Sequence, residues 1–161
     1  MKGGEVYQHI LVPLDGRNMA EVALPYAKEL AKRCGSDEIT LVVTIKRTKG
    51  YKRVTGYPLG ERPVSQPVGK KEKEIENYLA GVAKKLQQDE GIKVQTKVLL
   101  GKPAQAIMFY AEHNPCDLII MATHGRAGLS RWVRGSVAGK ILRGSVMPVM
   151  MVKGPGAPPG V

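Results

Sequence analysis

Five short runs of branched, apolar residues, each followed by a stretch of different period, constrain this chain more than any other feature. They are residues 8–13 (QHILVP), 39–45 (ITLVVTI), 92–100 (IKVQTKVLL), 117–122 (DLIIMA) and 149–152 (VMMV). Each has strand length. Those at 39–45 and 117–122 are apolar on both faces, as a strand buried between two layers must be. In the third run Val94, Thr96 and Val98 alternate with polar neighbours, which predicts an edge strand.

Helical period fills the gaps. After 8–13 come Asp15-Gly16 and then Ala20, Ala23, Leu24, Ala27 and Ala31 on one face, with Asn18 as the expected cap and Glu21 three residues on. Pro25 inside that span must kink the helix or mark a later start. Lys32 and Arg33 suit its last turn, and Gly35 its end. Ile75, Tyr78, Leu79, Val82 and Leu86 recur at helical spacing before Gly91. Pro103 suits the first position of a helix that turns Ala104, Ile107, Met108 and Ala111 inward. A last helix is expected from about 136 to 143.

Strand and helix in alternation predict one α/β domain with a parallel sheet. Right-handed crossovers in a doubly wound order then place a crevice at the carboxyl ends of the strands, where the winding reverses. The domain is expected over residues 1–153, with a long basic loop at 46–73 and a disordered tail at 154–161 (GPGAPPGV).

Composition narrows the function classes. The 161 residues are 43% hydrophobic and 24% charged, which excludes wholesale disorder. No apolar run approaches the ~20 residues of a membrane-spanning helix. Cys34 and Cys116 are far apart and form no C-x-x-C, and His9, His113 and His124 show no metal-ligand spacing. A cytoplasmic protein with reduced thiols is expected. The formal net charge of +11 favours anionic partners, although a basic protein needs none.

The loop after the fourth strand holds the strongest chemical signal. Thr123-His124-Gly125-Arg126-Ala127-Gly128 leads on to Gly135-Ser136-Val137 at a helix start. Glycines admit a phosphate close to the backbone, and a helix start offers unpaired N–H groups. The same residues also describe a glycine-rich turn capped by Ser136. Gly135 to Lys140 is one residue short of a P-loop and has Ile141 where a magnesium-binding hydroxyl belongs; no G-x-G-x-x-G follows a strand. Asp15, at the end of strand one, could accept from an exocyclic amine or a ribose hydroxyl, or could form a turn ahead of Gly16. Ser130 and Ser136 both fail the G-x-S-x-G elbow. The 46–73 stretch interleaves lysines and arginines with Tyr51 and Tyr57; it suits a nucleic-acid backbone or a solvated loop.

Taken together, Ile10-Leu-Val-Pro-Leu-Asp15, Asp117-Leu-Ile-Ile-Met-Ala-Thr-His-Gly125 and Pro148-Val149 resemble the universal stress proteins over nearly the whole chain. The nucleotide-binding members of that family carry G-x2-G-x9-G-S/T after strand four. Here the register is Ala122-x2-Gly125-x9-Gly135-Ser136, so the first glycine alone is replaced. The resemblance implies a five-stranded sheet of order 3-2-1-4-5 with helices on both faces, a homodimer, and ATP or another adenine nucleotide between strands one and four. It places Asp15 at the adenine or ribose end, with Pro13 and Leu14 lining the pocket and Val43 or Thr44 beside them. Met121 and Ala122 then lie against base and ribose, and Gly125, Arg126, Gly135, Ser136 and Val137 surround the phosphates. An Mg or Mn ion would arrive with the triphosphate.

The expected function is that of an ATP-binding stress-response sensor or regulator. No general base or nucleophile stands out, so any ATP hydrolysis is expected to be slow and incidental. Two alternatives have different signatures. A nucleotide-independent, dimeric chaperone-like or nucleic-acid-associated protein would work through 46–73. A phosphatase or nucleotide hydrolase would turn over with magnesium or manganese. The last strand, short and apolar, is the expected dimer edge.

Overall fold

In the computed structural model, residues 6–46, 69–88, 91–123 and 136–154 are described. The elements in order are β1 (His9–Leu14), α1 (Asn18–Glu21), α2 (Leu24–Cys34), β2 (Glu38–Ile45), α3 (Lys70–Leu86), β3 (Lys93–Leu100), α4 (Pro103–His113), β4 (Leu118–Thr123), α5 (Val137–Gly144) and β5 (Val149–Lys153). The strands form one parallel sheet of order β3-β2-β1-β4-β5. Strand order therefore runs outward from β1 on one side and from β4 on the other, and the winding reverses between them.

Side-chain alternation divides the core into two layers. Ile10, Val12 and Leu14 of β1, Ile39, Leu41 and Val43 of β2, and Leu118 and Ile120 of β4 pack against α1, α2 and α3. Leu11, Val42, Ile119 and Met121 face α4 and α5 through Ala104, Ile107, Ala138 and Ile141. Strands buried on both faces explain the unbroken apolar runs at β2 and β4. β3 lies at one edge, as its alternation predicts, and β5 at the other.

Local chemistry fixes the helix ends. The helical segment after β1 is interrupted: α1 is a single turn, and α2 restarts with Pro25 in its first turn, where a missing N–H costs nothing. Gly35 ends α2 in the left-handed conformation, φ 66° and ψ 39°. One expectation is corrected here. Arg17, not Asn18, occupies the cap position of α1, and it makes no side-chain capping bond. The Asp15 carboxylate accepts the Arg17 N–H instead, at 2.9 Å, so the turn after β1 is organised one residue earlier than a capping box requires.

The amino ends of the strands are closed by polar pairing. The buried Glu38 carboxylate accepts from Lys93 Nζ at 2.9 Å, Gln95 Nε2 at 2.8 Å and Thr40 Oγ1 at 3.1 Å. Strand register brings these together, since Glu38 lies opposite Lys93 and Thr40 opposite Gln95. Asp117 accepts the backbone N–H groups of Gln8 and His9 at 2.7 and 3.1 Å, which ties β4 to the start of β1. The Ser36 hydroxyl donates to the carbonyl of Tyr7, a residue held at φ 65°.

Candidate functional site

β1 and β2 are registered along the whole of β1, from His9↔Glu38 to Leu14↔Val43. The seam between β1 and β4 differs. Its registered pairs are Ile10↔Leu118 and Leu11↔Ile119, at the amino halves of both strands. Beyond them, Val12–Leu14 and Ile120–Thr123 have no registered partners across the seam, and this lapse lies at the winding reversal, where a doubly wound sheet is expected to leave a wedge between the strands.

The expected site residues that are described lie at the carboxyl ends of β1, β2 and β4 or at the start of α5. Pro13 and Leu14 end β1, and Asp15 follows them, exposed. Val43 and Thr44 lie near the end of β2, and Met121 and Ala122 near the end of β4. Alternation sorts these side chains by face. Leu14, Val43 and Ala122 turn toward α1–α3, whereas Met121 turns toward α4 and α5. Pro13 and Thr44 share the Met121 side by strand parity. Gly125, Arg126 and Gly135 lie outside the described residues, as do His124 and most of the 46–73 stretch. Lys46, Lys70, Lys71 and Lys73 are its described cations, and all are exposed.

Ala122, where the motif has glycine, sits in regular strand opposite Val152. Among the described residues, Tyr7 is the only non-glycine with positive φ, so the alanine methyl imposes no backbone strain. That methyl packs at the edge of the α1–α3 core layer. The replacement therefore acts through volume.

Thr44 contributes an unusual atom. Its Oγ1 is buried and, among the described residues, is the one buried side-chain oxygen or nitrogen without a hydrogen-bond partner. An unmet buried hydroxyl costs on the order of 1–3 kcal/mol. Sequence reasoning placed Thr44 near the site but carried no sign of this orphaned hydroxyl, which exists only because the sheet surrounds it.

On the other bank, Ser136 is the N-cap of α5, with extended φ −74° and ψ 155° and its Oγ accepting from Gly139 N–H at 3.0 Å. The cap and the anion site expected there are compatible: the oxygen accepts within the helix, and a helix's first turn leaves N–H groups that need partners from outside the helix. Val137, at the first helical position, is partly exposed.

The β1 bank is acidic. Tyr78 of α3 donates to Glu21 Oε1 of α1 at 2.8 Å. Burial first, then the Glu21 bond and the charges of Glu21 and Asp15, push the Tyr78 hydroxyl well above the usual tyrosine range. Glu21 is thus engaged with α3 and closes no capping box. Its role was missed because its partner is 57 residues away. The two banks differ in sign: carboxylates beside β1, and the positive end of a helix dipole beside β4. An anion fits the second, while hydroxyl and amine donors fit the first. No group of three or more potential metal-ligating side chains occurs among the described residues.

Comparison with known proteins bears on the family and the fold. A profile of the universal stress protein family matches residues 6–153. The universal stress protein MJ0577 of Methanocaldococcus jannaschii is 32% identical over 156 residues, covering 92% of this chain and 96% of its own length. MJ0531 of the same organism is 29% identical, covering 95% of this chain and 86% of its own. The solved structure of MJ0577 superposes with a TM-score of 0.61 at 30% identity, covering 94% of this chain and 99% of that one. A universal stress protein solved in complex with cAMP superposes with a TM-score of 0.68, covering 93% and 99%; at 17% identity that likeness speaks for the fold.

Proposed function

The chain belongs to the universal stress protein family, and from that premise we propose that it binds an adenine nucleotide, with ATP as the leading ligand, in the wedge between β1 and β4. It acts as a sensor or regulator whose bound state is read by another molecule. The observation that carries this reading is the lapse of β1–β4 pairing at the winding reversal, where one bank is acidic and the other is a capped helix start.

The base and ribose belong at the β1 bank. Asp15 accepts from an exocyclic amine or a ribose hydroxyl with the carboxylate oxygen not engaged by Arg17 N–H. Pro13 and Met121 supply apolar surface, and the orphaned Thr44 hydroxyl gains a partner at the polar edge of the base. Ala122 narrows the ribose space by one methyl without straining the strand. Phosphates belong at the α5 bank, beside Ser136, Val137 and the N–H groups of the first turn, with Gly125, Arg126 and Gly135 completing the cradle by sequence position. A magnesium or manganese ion enters with the triphosphate and keeps several waters. Two relatives of the same fold have been solved with adenine nucleotides, one with cAMP and one, from Arabidopsis thaliana, with AMP. Those ligands belong to distant chains, and they support the chemical class rather than the choice of ATP.

The test is the nucleotide content of the purified, folded protein, followed by calorimetric titration. ATP near one per chain, lost in folded Gly135→Val and Asp15→Ala variants, is the expected result. An empty protein that takes up no ATP with magnesium overturns the reading and turns attention to 46–73.

A second feature favours self-association through β5. Among the described residues this strand is an unpaired edge, with Met150 at 38% exposure, and Val146 and Leu142 nearby in sequence are 77% and 51% exposed. Exposed apolar residues beside an open edge suit pairing with a second copy. A dimeric mass by light scattering at micromolar concentration is expected. A Met150→Lys variant should be monomeric, and a monomeric parent protein overturns the proposal. No helix among the described residues is long and apolar enough to cross a membrane.

A further inference from the structure

The wedge is held from the side by a contact that no motif marks. β5 ends at Lys153, and the next residue, Gly154, is buried. Its N–H donates to the carbonyl of Thr123 at 3.2 Å, and Thr123 Oγ1 donates in turn to the Val152 carbonyl at 3.4 Å. Thr123 is the last residue of β4 and directly precedes the segment that carries Gly125 and Gly135. On its other side Gly154 meets Met19 of α1, two residues beyond the Arg17 whose N–H is held by Asp15.

Space, not conformation, requires the glycine. Gly154 is not among the positive-φ glycines. A Cβ placed on it would lie 2.6 Å from Met19 Cε, 3.3 Å from the Thr123 carbonyl oxygen and 3.9 Å from Met19 Sδ. The first contact is with the far end of a flexible side chain, which can swing away. The second is with backbone, which must give by a few tenths of an ångström. A side chain at 154 would therefore displace the Met19 side chain of α1 and press on the end of β4 at Thr123.

We infer that Gly154 is a positioning residue for the nucleotide site, a clamp that fixes the separation of the Asp15 turn and the end of β4. The inference rests on the nucleotide reading for its effect on affinity, but the clamp itself can be tested without ligand. Because α1 follows the turn that Asp15 organises and Thr123 ends β4, a shift of a few tenths of an ångström at the clamp alters the fit of a ligand that touches both.

The experiment compares the parent protein with Gly154→Ala, Met19→Ala and the Met19→Ala/Gly154→Ala double variant. Backbone amide shifts are recorded without nucleotide, and ATP affinity is measured by calorimetry with magnesium. Gly154→Ala should shift the amides of Asp15, Gly16 and Thr123 together and weaken ATP at least fivefold, with little change in melting temperature. The double variant, which removes the flexible obstacle and keeps the Thr123 contact, should return the Asp15 and Gly16 amides toward the parent, leave Thr123 shifted and recover part of the affinity. A merely structural glycine would lower the melting temperature and leave affinity unchanged, with no recovery in the double variant. Amide shifts confined to β5 overturn the clamp whether or not ATP binds. Normal clamp shifts in a parent protein that ignores ATP overturn the nucleotide reading and leave the clamp standing. If Gly154→Ala does not fold, Met19→Ala carries the test: it should move the amides of Asp15 and Gly154 together, and a change limited to α1 overturns the inference.

Discussion

At the amino ends of the strands, Glu38, Thr40 and Ser36 are buried and each has its hydrogen-bond partners; at the carboxyl ends, the buried Thr44 hydroxyl has none. The two ends also differ in pairing. Asp117 stitches β4 to β1 where the strands begin, and the same two strands part company four residues later. One end of the sheet is thus satisfied among the described residues, and the other keeps an unmet hydroxyl, which the proposed nucleotide would meet. Substitutions at the first should change stability and spare binding. Those at the second should change binding, in one case with a gain in stability.

The largest effect is expected from Glu38→Ala. Gln95 and Thr40 lose their acceptor inside the fold, while Lys93, mostly exposed, returns to water. Loss of a buried carboxylate with such partners should cost about 2–3 kcal/mol of unfolding free energy. Urea denaturation would measure it, and ATP affinity should stay within about twofold of the parent protein. A large loss of affinity would break the contrast between the ends.

Thr44→Val carries the opposite sign. Valine keeps the shape of threonine and removes the orphaned hydroxyl, so the nucleotide-free protein should gain about 1 kcal/mol. ATP affinity should fall severalfold, because the partner that the base would use is gone. A fall in stability would show that the hydroxyl is already satisfied in the folded chain, and would remove it from the site.

Ser136→Ala lies between these cases. Loss of the N-cap bond to Gly139 should cost about 1 kcal/mol. Affinity for ATP should drop more than affinity for adenosine, since this bank is assigned to the phosphates. An equal drop for both ligands would place the serine near the base.

What could be read from the residues follows the range of the interactions concerned. Ser136 was legible as a helix start because a cap involves atoms three residues apart. The layers were legible because alternation and helical period are local, and so were the two-sided burial of β2 and the edge position of β3. The strand order came with the family resemblance; no local signal encodes it. Glu38, by contrast, stands at the head of an apolar run and means little until Lys93 and Gln95 arrive in register from 55 and 57 residues away. Glu21 appeared to suit a capping box with Asn18 and instead bonds Tyr78. Gly154, expected to open the tail, is buried against Met19 and Thr123. At Ala122 the sequence shows only that the motif's first glycine is replaced; that the replacement strains no backbone follows from its regular strand pairing with Val152.

The smallest effects lie at alkaline pH, and they separate the two ends by a different route. Burial, then the charges of Asp117 and Glu38, push the Cys116 thiol from its ordinary value of 9.0 up to about 11. In the unfolded chain that thiol ionises near its ordinary value, so folding resists a charge that unfolding accepts. The associated stability is intact below about pH 9 and is lost progressively as pH rises toward about 11. Tyr78, at the carboxyl end, is pushed up from 10.0 by burial, Glu21 and Asp15, so its share of the loss begins about one pH unit higher. Urea midpoints measured from about pH 8 to 11 should therefore fall in two overlapping stages. Cys116→Ala should remove the earlier stage and Tyr78→Phe the later. Saturating ATP should raise the whole curve by mass action, and it should act on the Tyr78 stage more than on the Cys116 stage, because Asp15, one of the charges acting on Tyr78, is the residue assigned to the ligand. A nucleotide effect confined to the Cys116 stage would place the ligand at the closed end of the sheet and reverse the comparison.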